Sequence, residues 1–144
     1  MLKTLLASLA LTTALLTPLA AQAATPTEKG VLVVYLGAED CRWCTFWESR
    51  LSGQERKFKA TPEFKKLQYR TVKNNYLAEP YVARDFPDDL KWVFESLAER
   101  DRRPPRPTFL VYNDGKLVGK YAGSEGWDEK GYPTVKKLLD SAKD

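Results

Sequence analysis

Histidine is missing from the 144 residues, methionine occurs once, and cysteine occurs only twice. The methionine is the initiator, so thioether and imidazole ligands are both lacking downstream. Zinc normally takes four ligands and copper(I) favours thiolates and thioethers. With two sulfurs alone, the chain holds a metal only with a partner chain. Two cysteines also limit the protein to one intramolecular disulfide. Cys41 and Cys44 enclose two residues, and closing so small a loop removes little entropy from the unfolded chain. A redox role therefore explains the pair better than a structural staple does.

The sequence also lacks a hydrophobic run long enough to span a bilayer. Leu5 to Leu16 gives about a dozen strongly apolar residues before Thr17-Pro18, against the roughly 20 that a crossing takes. With Lys3 ahead of it and Ala21-Gln22-Ala23 behind it, this stretch reads as a secretory signal cleaved after Ala23. No cysteine follows the run to carry a lipid. We expect residues 1–23 to be a leader and residues 24–144 to form one domain, free in an extracytoplasmic space. A large charge excess is lacking too. The formal net charge of +4 is too small to point to nucleic acid. Arg100, Arg102, Arg103 and Arg106 are interleaved with Asp101, Pro104, Pro105 and Pro107, with no aromatic among them, and read as a solvated loop. There is no internal repeat and no low-complexity tract.

What is present is an alternation of short strands and helices. Val31 to Leu36 is a continuous aliphatic and β-branched run of the kind buried on both faces of a sheet. After Gly37-Ala38-Glu39-Asp40, the segment from Cys41 to about Leu51 places Cys44, Trp47 and Leu51 at helical spacing, and Ser52-Gly53 stops it. Thr61 to Phe64 reads as a helical turn and Leu67 to Val72 as a strand near a sheet edge. Residues 74–87 show no regular pattern. From Asp88, the spacing of Leu90, Val93, Phe94 and Leu97 predicts a helix whose apolar face packs on the sheet. Thr108 to Tyr112 and Lys116 to Tyr121, joined by Asn113-Asp114-Gly115, predict an antiparallel hairpin. Residues 123–131 read as a loop and Thr134 to Ala142 as a closing amphipathic helix. Trp47 is assigned to the core, Trp43 to an exposed substrate-facing position, Trp92 off the main helical face, and Trp127 to no role.

The cysteines thus sit where a strand hands over to a helix. A thiolate there faces unsatisfied backbone N–H groups, which lowers its pKa. That makes Cys41 the attacking sulfur. Cys44, one turn further and more buried, is placed to resolve a mixed disulfide. Arg42 adds positive charge beside the thiolate and Asp40 opposes it.

Ala38-Glu39-Asp40-Cys41-Arg42-Trp43-Cys44 after a hydrophobic strand, Arg106-Pro107-Thr108-Phe109 opening a later strand, and the Asp114-Gly115-Lys116 turn together resemble the thioredoxin superfamily. The resemblance runs from about Val31 to the end. It implies an α/β, thioredoxin-like three-layer sandwich: a mixed central sheet of about four strands, helices on both faces and an abbreviated N-terminus. It also implies a thiol-disulfide oxidoreductase whose only prosthetic element is the Cys41–Cys44 disulfide, with no metal. Protein or peptide thiols and disulfides would be its partners, and a membrane redox protein would recycle it. By the same resemblance, Pro107 is cis and packs against the cysteines, and Arg106 offers main-chain groups to an extended substrate. Pro104, Pro105 and a trans Pro107 ending a loop are the competing readings. Arg42 and Trp43 would contact substrate. The chain departs from the pattern at Tyr35, where cytosolic thioredoxins carry a carboxylate behind the cysteines. Arg42-Trp43 resembles the dipeptides of exported oxidases, isomerases and reductases. We expect a periplasmic monomer working somewhat more as reductase than oxidase. A metal carrier and a non-catalytic binding module are the alternatives.

Overall fold

The computed structural model describes residues 29–51 and 53–142, so the leader expected at residues 1–23 lies outside the described residues. Strand β1 (Val31–Ala38) is buried along its whole length. Successive side chains in a strand point to opposite faces. Val31, Val33 and Tyr35 accordingly enter one apolar cluster, while Leu32, Val34 and Leu36 enter another. Both faces of the sheet are therefore covered, which is why this strand reads as an unbroken apolar run.

Three further strands complete the sheet: β2 (Gln68–Asn74), β3 (Thr108–Asn113) and β4 (Lys116–Ala122). Their order is β2-β1-β3-β4. The β1–β2 pair is parallel and the β1–β3 and β3–β4 pairs are antiparallel. The β3–β4 hairpin turns at Asp114 (φ 47°) and Gly115 (φ 75°). Two consecutive left-handed residues are what a tight turn between right-twisted strands requires. A one-residue shift of register falls between Val111 and Tyr112, which pair with Gly119 and Leu117 and leave Val118 unopposed.

The first cluster is roofed by α1 (Arg42–Glu48), α2 (Gln54–Lys59) and a C-terminal helical run. The second is covered by α3 (Lys91–Ser96), which follows a 3-10 turn at Asp88–Leu90 and buries Leu90, Val93 and Leu97, with Tyr81 and Phe86 beside it. This is the three-layer, mixed four-stranded α/β sandwich expected from the resemblance.

Several local expectations are corrected. Helix α1 ends at Glu48, and Leu51 is 98% exposed. With Cys44 and Trp47 already buried, a third turn has nothing to pack against. The second helix comes earlier than the predicted turn, at α2, where Phe58 is the sole buried residue. Residues 123–131 are helical rather than loop. Helix α4 (Gly123–Gly126), a π-helical turn (Trp127–Gly131) and α5 (Tyr132–Ser141) follow one another without interruption. Trp127 is 1% exposed and stacks among Trp47, Phe58 and Phe109. A Cβ on Gly131 would lie 2.6 Å from the Trp127 ring, so only glycine admits it.

Candidate active site

Strand β1 delivers its C-terminal end to the start of α1, and the cysteines occupy that junction. Cys41 is the residue before the helix, extended at φ −88°, ψ 107°, and its sulfur accepts the Cys44 backbone N–H at 3.1 Å. The Thr45 hydroxyl donates to the Cys41 carbonyl at 3.2 Å, tightening the first turn. Cys41 and Cys44 form a disulfide across a Cα separation of 5.2 Å. One expectation is corrected here. Cys41 is 1% exposed and Cys44 0%, so in the oxidised form both are enclosed and neither is the more open. Ala38, Trp47 and Phe109 share their cluster. Among the described residues no group of three or more histidine, cysteine, aspartate or glutamate side chains is placed to hold a metal.

The Arg106–Pro107 peptide is cis. Thr108 begins β3 directly after it, and the Pro107 carbonyl accepts the Gly123 N–H at 2.7 Å, tying the proline to the start of α4. Arg106 is not in a solvated loop. Its residue is 6% exposed, and its guanidinium reaches across to residues 77–81. There it donates to the carbonyls of Leu77 and Glu79 (2.8 Å for Glu79) and to the Tyr81 hydroxyl (3.3 Å). It also lies 4.5 Å over the Tyr81 ring. Tyr81 in turn donates to the Gly37 carbonyl on β1. Burial pushes the Tyr81 phenol up to about 12 against the opposing pull of Arg106. The Leu77 N–H donates to Asp40 at 2.6 Å. The residue before the Cys pair and the residue before the cis-proline thus grip the same segment. Arg102 is likewise drawn in, with its guanidinium 4.3 Å over the Phe94 ring.

A groove of about 920 Å³ runs beside this junction. It is lined by Trp43 and Phe46 of α1, by Pro105, Arg106 and Pro107, and on the far wall by residues 122–126 and 128–130. Trp43 is 63% exposed and Phe46 48%, packed edge to face at 6.5 Å. Arg42 is exposed and lies 5.8 Å over the Trp43 ring. The far wall carries Glu125, Asp128, Glu129 and Lys130. Burial raises the Asp128 carboxyl, with Lys57 opposing it. Trp47 is core, 1% exposed, as its helical position predicted.

A part-buried polar arrangement at the end of α1 was not legible in the sequence. The Tyr35 hydroxyl donates to Glu48 Oε1 at 2.8 Å. Lys73 Nζ donates to Glu48 Oε2 at 3.1 Å and to Glu39 Oε2 at 3.2 Å. Burial, then the Glu48 carboxylate, holds the Tyr35 phenol far above its ordinary value. Burial alone would lower the Lys73 ammonium, but its contacts with Glu48 and Glu39 outweigh it and raise it. Tyr35 stands at the position where the chain departs from the family pattern, and its hydroxyl meets the Glu48 carboxylate at the end of α1. Strand alternation places Tyr35 beneath α1, but nothing in the sequence fixes which helix residue meets it.

No protein-family model matches the chain, and no curated protein does. Solved structures that superpose on it include the thioredoxin of Malassezia sympodialis at 16% identity (79% of each chain, TM-score 0.47). Another is the periplasmic thioredoxin SoxS of Paracoccus pantotrophus, also 16% identical (78% of this chain, 98% of that one, TM-score 0.48). Fasciola hepatica thioredoxin is 18% identical (76% and 83%, TM-score 0.46).

Proposed function

We propose that the chain is a thiol-disulfide oxidoreductase exported to the periplasm, acting on protein or peptide disulfides. The observation that carries this reading is the Cys41–Cys44 disulfide at the β1–α1 junction, with Trp43 of that helix and the cis-proline Pro107 lining one open groove. Cys41 is the nucleophile. In the reduced enzyme the Cys44 N–H that meets its sulfur favours the thiolate, since a hydrogen bond to a charged form stabilises it. The thiolate attacks a substrate disulfide, one substrate sulfur leaves, and a mixed disulfide forms on Cys41. Cys44 then attacks the Cys41 sulfur, releasing the substrate as a dithiol and restoring the enzyme disulfide. Trp43 and Arg42 face the substrate, and the Arg106 backbone before Pro107 offers it main-chain hydrogen bonds. No cofactor takes part. A membrane redox protein returns electrons to the pair, and the chain works as a monomer, with reduction favoured over oxidation.

The test is covalent capture. The Cys44→Ala protein, expressed with its leader, is expected to accumulate mixed disulfides through Cys41 in the extracytoplasmic fraction, and equilibration of wild type with glutathione sets the direction. Failure to trap any protein, together with no reduction of insulin, overturns the reading. A second reading, a binding module with a permanent disulfide, is favoured by one observation, the 1% exposure of Cys41. It predicts that Cys41 resists alkylation even after a strong reductant.

A further inference from the structure

The far wall of the groove carries charge that the exchange chemistry does not use. Glu125, Asp128 and Glu129 line it with a single ammonium, Lys130, among them, and all four residues are exposed. Arg106 also lines the groove, but its guanidinium is directed at the carbonyls of Leu77 and Glu79 and at the Tyr81 hydroxyl. Arg42 lies over the Trp43 ring and is not part of the lining. Carboxylates elsewhere in the fold hold cations: Asp89 pairs with Arg70, Asp101 with Lys120 and Glu48 with Lys73. Among the described residues Glu125 and Glu129 have no such partner. Asp128 differs from them, because Lys57 opposes the rise that burial gives its carboxyl. Like charges about one turn apart on a helical run repel. A cation placed between Glu125 and Glu129 relieves that repulsion.

The acidic wall is held in a fixed relation to the cis-proline. Trp127, which lies between the two glutamates in sequence, is 1% exposed and packs on Trp47, Phe58 and Phe109. The Gly123 N–H at the start of the wall donates to the Pro107 carbonyl at 2.7 Å. Opposite stand the exposed rings of Trp43 and Phe46. The groove, about 920 Å³, is near the upper end of the roughly 300–1,000 Å³ that encloses a drug-sized ligand, which leaves room for several residues of a chain.

We propose that this groove selects disulfide-bearing polypeptides in which an apolar residue and a lysine or arginine flank the cysteine under attack, the apolar group resting on Trp43 and Phe46 and the cation between Glu125 and Glu129. This rests on the exchange reading and names the substrate class within it. An apolar strip alone accepts any opened chain, whereas the acidic wall adds a difference in affinity between segments of opposite charge. Complementary charge acts chiefly on encounter and on the choice of partner. The preference therefore belongs to the loading of Cys41 and not to the later attack by Cys44. The formal net charge of +4 works against a cationic substrate, so a preference for one has to come from a local field.

Three synthetic peptides of equal length test this. Each has a phenylalanine beside a central cysteine, held as its mixed disulfide with nitrothiobenzoate, and two lysines, two serines or two glutamates further along. When the Cys41 thiolate of the reduced protein attacks the peptide sulfur, nitrothiobenzoate leaves with the electron pair of the broken bond, and its yellow colour reports loading. Cys44 then displaces the peptide as a thiol and the protein keeps the disulfide. At about 0.01 M salt, where the screening length is about 30 Å, the lysine peptide should load about tenfold faster than the serine peptide, and the glutamate peptide slowest. The ratio should fall toward one at about 1 M, where that length is about 3 Å. In a Glu125→Gln, Glu129→Gln double variant most of the ratio should vanish, and in Glu125→Lys, Glu129→Lys the glutamate peptide should become the fastest. Each ratio is read on one protein, so a general loss of activity cancels, and the wild-type ratio with its salt dependence decides the matter even where a variant fails to fold. A wild-type ratio near one at low salt, a ratio indifferent to salt, or a full ratio in the double glutamine variant overturns the proposal and leaves the exchange reading intact. No yellow release from any of the three peptides overturns the exchange reading, and the proposal with it.

Discussion

At the scale of single residues, Arg106 has the largest set of obligations. An arginine 6% exposed, its guanidinium facing two carbonyls and a hydroxyl, is satisfied because its planar fork spans all three acceptors. Arg106→Ala removes the charged donor from the part-buried carbonyls of Leu77 and Glu79, of which Glu79 keeps the Asn74 amide, and a hydrogen bond to a charged group contributes about 1.5–3 kcal/mol. We expect a lowered urea midpoint of that size. Because Arg106 and Asp40 hold residues 77–81 from either side of the Cys pair, we also expect slower loading of Cys41 by an aromatic disulfide. Arg106→Lys, a single point donor, should recover only part of either. Charge spacing along the sequence marked this arginine as one of four in a solvated loop. Its burial depends on carbonyls supplied by residues about 27 positions earlier, which no local pattern encodes.

At the scale of elements, what the sequence disclosed followed the strength of each hydrophobic period. The β1 run, the β3–β4 hairpin and the α3 face each carry repeated apolar positions, and each formed where the spacing placed it. Helix α2 carries one buried residue, Phe58, so it has no period to detect. The run from Gly123 to Ser141 hides for a different reason. Its buried positions, Trp127, Gly131, Val135 and Leu139, recur every four residues, and at 3.6 residues per turn such a stripe drifts around the helix. The π-helical turn widens the spiral locally and keeps Trp127 on the sheet. Three glycines in the same stretch gave the opposite signal. Trp127 therefore anchors a helix that composition does not predict, and Trp127→Ala should cost about 3–5 kcal/mol in chemical denaturation, as removal of a large buried ring does. Leu51→Ala, 98% exposed, should cost nothing measurable. Of the candidate site, the spacing of the two cysteines singled them out, and the resemblance alone pointed to Pro107. The sequence did not disclose Glu48, Lys73 or residues 77–81, because these meet the site only through the tertiary fold.

For the whole molecule, the titration of stability follows from which groups are shifted and in which direction. Glu63 is lowered by the hydrogen bond from Tyr132, Asp89 by Arg70 and Asp101 by Lys120, each joining separate elements. A carboxyl whose folded pKa is depressed contributes stability above its unfolded value near 4, lost as pH falls through the folded one. Asp128, raised by burial, works the other way and is relieved on protonation. Three against one gives a net loss in acid. At the other end, burial raises Tyr35, Tyr69, Tyr81 and Tyr112, so their stabilisation is complete below pH 10.0 and is lost above it. We expect the urea midpoint to hold a plateau between these limits and fall on both sides.

The unopposed Val118 has a bearing on how copies of the protein tolerate one another. A rim of unsatisfied amides and carbonyls is a template on which a further strand can lengthen into a polymer. The displaced residue breaks the spacing of β4 midway, between Lys116 and a Lys120 that is paired with Asp101. Growth along that margin is stopped after a few residues, so one copy does not template the next through it.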